Sequence, residues 1–366
     1  MPVPRSLDEI TPAWLTETLR SCRAIDGGVS VRDVEWERLG EGVGFIGIVA
    51  RGSITYDQAG SAQPQSLIVK LPTTDEGARS LGNMYGLYER EVNFYNDVAP
   101  RAGITVPRSY LAAWDAEAAQ SLILLEDLRG TGTPGDQVDG CARDQAMLAI
   151  AALGRFHATW ADDAKLATIP WLVDGVELVR TAMMQAYEPA VQPFMELFGS
   201  SLGARIRAIV PDLHLRTLRL MDEELQAVPM TVAHGDYRLD NLYFGHANAP
   251  YEVAVFDWQS PNRGWGAYDV AYFMSGSFPP DQRRAYEDQM IRSYHETFVA
   301  YGHEYPFERF FDDYRRSLLV YLAIFVVNGV SLELSNERAV ALFNAIFERL
   351  NAAILDLDAL SLLPSP

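Results

Sequence analysis

The apolar positions divide the 366-residue chain into two textures. In the first third, short runs rich in β-branched and aromatic residues, some with partial alternation, predict strands over 31–39, 45–56, 65–71, 108–115 and 120–128. A short helix precedes them, announced by Thr11-Pro12, an N-cap residue followed by proline at the first helical position. One helical stretch, 78–98, interrupts the strands and sets Leu87, Glu91, Phe94 and Val98 on one face. From about residue 143 the spacing turns helical, over 143–160, 175–190, 204–227, 280–301, 307–334 and 337–356. A small β element, 241–244 with 253–256, breaks that region near its middle, and Gly130-Thr-Gly-Thr-Pro-Gly135 marks a boundary between the textures. The expectation is an α+β chain: a β-sheet N-lobe with one helix over 1–129, and a mainly helical C-lobe over 130–366.

Composition narrows the partners. With 49 acidic against 30 basic side chains the formal charge is −19, a surface that repels nucleic-acid phosphates and anionic lipid. Two cysteines, Cys22 and Cys141, are too few for a disulfide framework or a zinc site and fit a reducing compartment. The apolar run over 318–327 is about half the ~20 residues a membrane span needs, so it reads as a buried helix. The N-terminus lacks the apolar core of a signal peptide. A cytoplasmic protein with neither nucleic-acid nor membrane partners is expected; the oligomeric state is not legible.

The segment richest in chemistry is Val232-Ala-His-Gly-Asp-Tyr-Arg-Leu-Asp-Asn-Leu-Tyr-Phe244, followed by Ala254-Val-Phe-Asp-Trp-Gln259. Phosphoryl transfer to an alcohol needs a carboxylate to take the hydroxyl proton, oxygen ligands for Mg²⁺ and a cation near the transferred group. Asp236 stands five residues before Asn241, the interval between base and metal-binding amide in the protein-kinase catalytic loop. Arg238 lies between them as a phosphate-contacting cation, and Asp257 ends a short apolar strand, where its carboxylate joins Asn241 as a metal ligand. A mere tight turn at His-Gly-Asp would not explain these intervals. Asp269 reads as an N-cap that also braces this loop, His157 as a satisfied core histidine, and His234 as a holder of the loop. Trp258, Trp265, Tyr268 and Tyr272 either line an acceptor pocket or pack the core.

With His234-Gly235-Asp236, Asn241 and Asp257, the chain resembles the aminoglycoside phosphotransferase and choline-kinase-like superfamily. The variant HGDYRLDN, FDWQ and Gly266-Ala-Tyr-Asp-Val-Ala-Tyr-Phe is most similar to bacterial ecdysteroid-kinase-like phosphotransferases. The resemblance spans roughly 39–350 and implies a bilobal protein-kinase-like fold with ATP in the cleft. It does not imply one substrate.

The first third supplies matching parts. Gly42, Gly44 and Gly47 have GxGxxG spacing between two strand-like runs, which favours a phosphate-covering hairpin over a dinucleotide site, where a helix would follow directly. Lys70 closes the strand Leu67-Ile-Val-Lys and reads as the ATP-phosphate lysine. Its expected ion-pair partner is Glu91, with Glu89 the alternative; as a partly exposed pair it would add about 0–1 kcal/mol. The strand ending Glu126-Asp-Leu128 resembles the family's hinge, which implies adenine contacts from the Glu126 carbonyl and the Leu128 amide. The expected function is ATP- and Mg²⁺-dependent transfer of the γ-phosphoryl group to a hydroxyl of a small molecule. A protein Ser/Thr kinase is disfavoured by Gly235 and by the lack of an Ala-Pro-Glu-terminated segment. A nucleotide-binding pseudokinase or scaffold is disfavoured by the presence of Lys70, Asp236, Asn241 and Asp257 together.

Overall fold

Thr11 is extended (φ −77°, ψ 160°), its hydroxyl accepts from the Trp14 amide, and Pro12 occupies the first helical position. The helix so started, α1 (Pro12–Ser21), buries Leu15 and Leu19. This computed structural model describes residues 3–40, 46–58, 60, 63–225, 228–329 and 336–365. The chain forms two compact units: 1–101 with 106–132 and 255–260, and 102–105 with 133–254 and 261–366. The segment carrying Asp257 therefore belongs with the first unit.

In the first unit, β1 (Val31–Leu39), β2 (Gly47–Tyr56), β3 (Ser66–Pro72), β4 (Ser109–Asp115) and β5 (Gln120–Glu126) form one five-stranded sheet in the order β1-β2-β3-β5-β4. Its pairs are antiparallel, with Lys70 between Val49 and Ile123. Strand alternation decides which face Lys70 takes. Leu67, Val69 and Leu71 are buried in a core with Leu15, Leu19, Leu122 and Leu124, so Lys70 projects from the opposite face. The helix expected over 78–98 is broken: α2 (Glu76–Met84) and α3 (Leu87–Asn93) flank Gly86, whose φ is +64°. A left-handed residue cannot continue an α-helix, and glycine is the residue that adopts it without steric strain. The chain then runs on from α3 as a π-turn over Phe94–Val98.

Apart from 102–105, the second unit begins within β6 (Gly132–Pro134), which lies in the Gly/Pro stretch read as a boundary. This strand is followed by α4 (Arg143–Trp160), α5 (Asp163–Leu166), α6 (Gly175–Phe198), α7 (Ala204–Ile209) and α8 (Leu213–Glu224). Four short strands come next, β7 (Met230–Ala233), β8 (Leu242–Gly245), β9 (Val253–Val255) and β10 (Asn262–Trp265). β6, β8 and β9 form one sheet, while β10 pairs antiparallel with β7. Helices α9 (Gly266–Gly276), α10 (Pro280–Ala300), α11 (Phe307–Gly329) and α12 (Glu337–Asp356) complete the unit. Two helices depart from expectation at prolines. α6 runs through Pro189 and Pro193 because its buried row of Met183, Tyr187, Ala190, Phe194 and Phe198 continues past them. The helix expected over 204–227 divides into α7 and α8 around Pro211, which has no N–H to donate. α11, expected to reach 334, is described to Gly329 and is buried on nearly all sides. Among the described residues no helix is long and apolar enough to cross a membrane.

Candidate active site

The loop leaving β7 is held from behind by a buried carboxylate. Gly235 has φ +80°, a conformation an arginine there would adopt only under strain, and this bend turns two consecutive amides toward Asp269. Asp269 Oδ2 accepts from the His234 amide at 2.6 Å and Oδ1 from the Gly235 amide at 3.0 Å. Asp269 is not the N-cap: it lies inside the first turn of α9, whose N-cap is Trp265, and is fully buried. His157, also fully buried, sits with Nε2 3.2 Å from Asp269 Oδ2 and Nδ1 2.7 Å from the Tyr294 hydroxyl. Both ring nitrogens of His157 are thus partnered. His234 Nδ1 accepts from the Asp236 amide at 3.2 Å.

These contacts set Asp236 at the front of the loop. Its Oδ2 accepts from Asn241 Nδ2 at 3.0 Å and from Arg238 Nε at 3.4 Å, and its Oδ1 from the Tyr272 hydroxyl at 2.7 Å. Asn241 Nδ2 also reaches the Asp236 carbonyl at 2.9 Å, so the amide nitrogen is committed to the loop and the amide oxygen is the atom left for a cation. Arg238 donates to Asp240 at 2.8 Å. Burial, followed by the Asp236 charge and Tyr321, pushes the Tyr272 hydroxyl well above the usual tyrosine value, so it remains a donor. The loop is tied on its other side by Gln137, 1% exposed. Its Oε1 accepts from the Leu239 amide at 2.7 Å, and its backbone amide donates to Asp240 at 2.9 Å. Sequence reasoning missed Gln137, since one polar residue in a Gly/Pro-rich stretch carries no periodic signal.

The first unit carries a second cluster. Lys70 Nζ lies 2.5 Å from Glu91 Oε1 and 2.7 Å from Asp257 Oδ1. The structure pairs Lys70 with Glu91 rather than Glu89, and adds Asp257, a partner that sequence spacing did not point to. Glu91 has a side chain 6% exposed, so the pair is more buried than expected. Burial pulls the Lys70 ammonium down most, but the carboxylates of Asp257 and Glu91 outweigh it, and the group ends above the ordinary lysine value. Asp257 has φ +63°, a left-handed conformation that aspartate tolerates better than most side chains. Trp258 beside it is fully buried and stacks on Phe94 of the π-turn, with ring centroids 3.9 Å apart and planes 6° apart. Trp258 and Trp265 (2% exposed, its Nε1 donating to Ser317 Oγ) are core packing, which leaves Tyr268 and Tyr272 half-buried near Asp236.

The segments expected to meet a nucleotide are described in part. Gly42 and Gly44 lie outside the described residues, while Gly47 opens β2 opposite Pro72. The carbonyl of Ile46, just before Gly47, accepts from the Tyr88 hydroxyl of α3. Glu126 ends β5, its amide donating to the Arg108 carbonyl, and Leu128 is buried. Between them Asp127 Oδ2 accepts from Arg51 at 2.9 Å and Ser66 at 2.7 Å, anchoring the strand end to β2 and β3.

A sheet bearing a lysine between two carboxylates, followed by a helical unit with an Asp-Asn loop, is the layout of kinase-like phosphotransferases. The model of the ecdysteroid kinase-like family matches residues 41–304. The chain belongs to that family. No curated protein matches the sequence closely enough to count as a relative. Among solved structures, this ecdysteroid kinase-like chain is similar to a candidate aminoglycoside phosphotransferase of Ralstonia eutropha JMP134 (TM-score 0.57, 16% identity, covering 96% of this chain and 98% of that one). It is also similar to spectinomycin phosphotransferase in complex with ADP and spectinomycin (0.54, 13%, 94% and 98%). Plasmodium vivax ethanolamine kinase is a third (0.50, 11%, 87% and 81%). At these identities the likeness is one of fold, and it bears out the protein-kinase-like α+β architecture, while the family match bears out the resemblance read from HGDYRLDN.

Proposed function

We propose that this ecdysteroid kinase-like protein is an ATP- and Mg²⁺-dependent phosphotransferase that moves the γ-phosphoryl group to a hydroxyl of a small molecule. The observation that carries the reading is Lys70 held between Glu91 and Asp257. One ammonium against two carboxylates leaves the cluster a net charge of about −1, which a divalent cation reverses and a polyphosphate then matches. The donor chemistry fits Mg²⁺: the Asp257 carboxylate and the Asn241 amide are hard oxygen ligands, and phosphate oxygens and water complete such a shell. When bound, the ion neutralises charge on the transferred phosphoryl group.

The chain's own residues do the rest. Asp236 accepts the acceptor's hydroxyl proton as the oxygen attacks phosphorus, and Asn241 and Arg238 orient that carboxylate. Lys70 presents its charge to the nucleotide phosphates, Gly42, Gly44 and Gly47 bring backbone amides near them, and Glu91 keeps Lys70 in place. The Glu126 carbonyl and Leu128 amide take adenine, with Asp127 fixing the strand end. Ethanolamine and spectinomycin, acceptors named for proteins of similar fold, differ greatly in size, so the fold leaves the acceptor open. The test is a screen of hydroxylated compounds with Mg·ATP, reading ADP release and product mass. A product heavier by one phosphoryl group, absent without Mg²⁺ and with Asp236→Asn, is expected. Failure of the protein to bind Mg·ATP would overturn the reading.

A further inference from the structure

A carboxylate has about four lone-pair positions, and hydrogen bonds already occupy most of those on Asp236. Oδ2 receives Asn241 at 3.0 Å and Arg238 at 3.4 Å, donors from the loop's own backbone neighbourhood. The bond at Oδ1 is different in kind. It comes from Tyr272 on α9, at 2.7 Å, and it is an alcohol-type O–H donating to the base. An acceptor hydroxyl must make this same bond before its proton is taken. The Tyr272 ring packs against buried Tyr321 of α11, with centroids 4.3 Å apart and planes tilted by 36°, the two side chains also share a hydrogen bond, and Tyr272 itself remains half-buried.

We propose that the Tyr272 hydroxyl stands in for the acceptor hydroxyl on Asp236 Oδ1, and so keeps water off the base until an acceptor displaces it. This rests on the phosphotransferase reading above and adds a guard function to it. Any kinase with an accessible base faces a competing reaction: a water oxygen bonds to the γ-phosphorus, the bridging oxygen leaves with ADP, and the water's proton passes to the base. Water is smaller than any acceptor and present at far higher concentration, so excluding it by size fails. A resident hydroxyl on the base's own hydrogen-bonding position excludes it chemically. A charge-assisted O–H···O bond is stronger than a neutral one, so an acceptor displaces it only with binding energy from the rest of its own structure.

The test needs no identified acceptor. Phosphate release from Mg·ATP alone is measured for the wild type, Tyr272→Phe and the double variant Tyr272→Phe/Asp236→Asn, with Mg·ATP binding by calorimetry alongside. Loss of one charge-assisted hydrogen bond predicts that Tyr272→Phe hydrolyses ATP about 10-fold faster, with unchanged nucleotide affinity. The double variant is expected to lose the gain. Should Tyr272→Phe fail to fold, Tyr272→Met takes its place with the same expected gain. Hydrolysis by Tyr272→Phe at or below the wild-type rate, with Mg·ATP binding intact, overturns the guard and leaves the phosphotransferase reading standing. A gain that survives Asp236→Asn also overturns it. A wild type that does not bind Mg·ATP overturns both.

Discussion

Lys70→Met removes the ammonium lying 2.5 Å from Glu91 and 2.7 Å from Asp257 while keeping most of the side-chain volume. The side chains of Glu91 and Asp257 are 6% and 25% exposed, so the two carboxylates left behind are poorly hydrated and repel each other. Removing one partner of a buried pair costs about 3–5 kcal/mol. At about 2 °C per kcal/mol for a chain of this size, the melting temperature should fall by about 6–10 °C. The dependence on pH identifies the cause. Burial is the chief influence raising Glu91 above its ordinary value of 4.5, and the Lys70 charge is the chief influence opposing it. Without Lys70 the folded-state pKa rises further, so the folded variant holds a proton that the unfolded chain releases. Its stability is then greatest below the unfolded value and declines as pH rises through the folded one. The gap to wild type should be smallest below the ordinary glutamate value of 4.5 and should widen as pH rises above it. The double variant Lys70→Met/Glu91→Gln carries no stranded glutamate charge and should recover most of the loss, yet remain inactive in Mg·ATP turnover. Thermal melts of the three proteins over a pH series test this. A Lys70→Met melting point within about 2 °C of wild type throughout, or a loss independent of pH, refutes the reasoning.

Asp236→Asn should lower turnover by about 10²–10⁴-fold with nucleotide affinity unchanged, measured by steady-state kinetics and calorimetry; near-wild-type turnover sinks the base assignment. Asp257→Asn keeps a side chain that tolerates the left-handed φ of +63° and should weaken Mg·ATP much more than metal-free ATP. Equal losses with and without Mg²⁺ in nucleotide titrations would make Asp257 structural. Asp269→Ala leaves the His234 and Gly235 amides without their acceptor and should cost about 2–4 kcal/mol in denaturant unfolding, with turnover lost too. A variant of native stability would show that the loop is held by other contacts.

Local chemistry was written in the chain. The alternation of Leu67, Val69 and Leu71 aimed Lys70 off the buried face of β3, because successive strand side chains must point to opposite sides. The Thr11-Pro12 start, the extent of α4 and α12, and the Asp236-to-Asn241 interval were legible for the same reason: each depends on residues a turn or two apart. What the chain alone did not show are contacts between residues far apart in sequence. Asp257 meets Lys70, His157 and Tyr294 back Asp269 behind the loop after β7, Gln137 ties Leu239 and Asp240, and Tyr272 occupies the oxygen of Asp236. No period or spacing encodes such pairs, and a buried polar residue looks the same in sequence as an exposed one. Proline and glycine showed the limit most plainly. Gly86 broke a helix that periodicity favoured, since backbone conformation is local and steric. Pro189 and Pro193 failed to break one, since the packing of Tyr187, Phe194 and Phe198 outweighed the lost hydrogen bonds, and only the folded unit sets that balance.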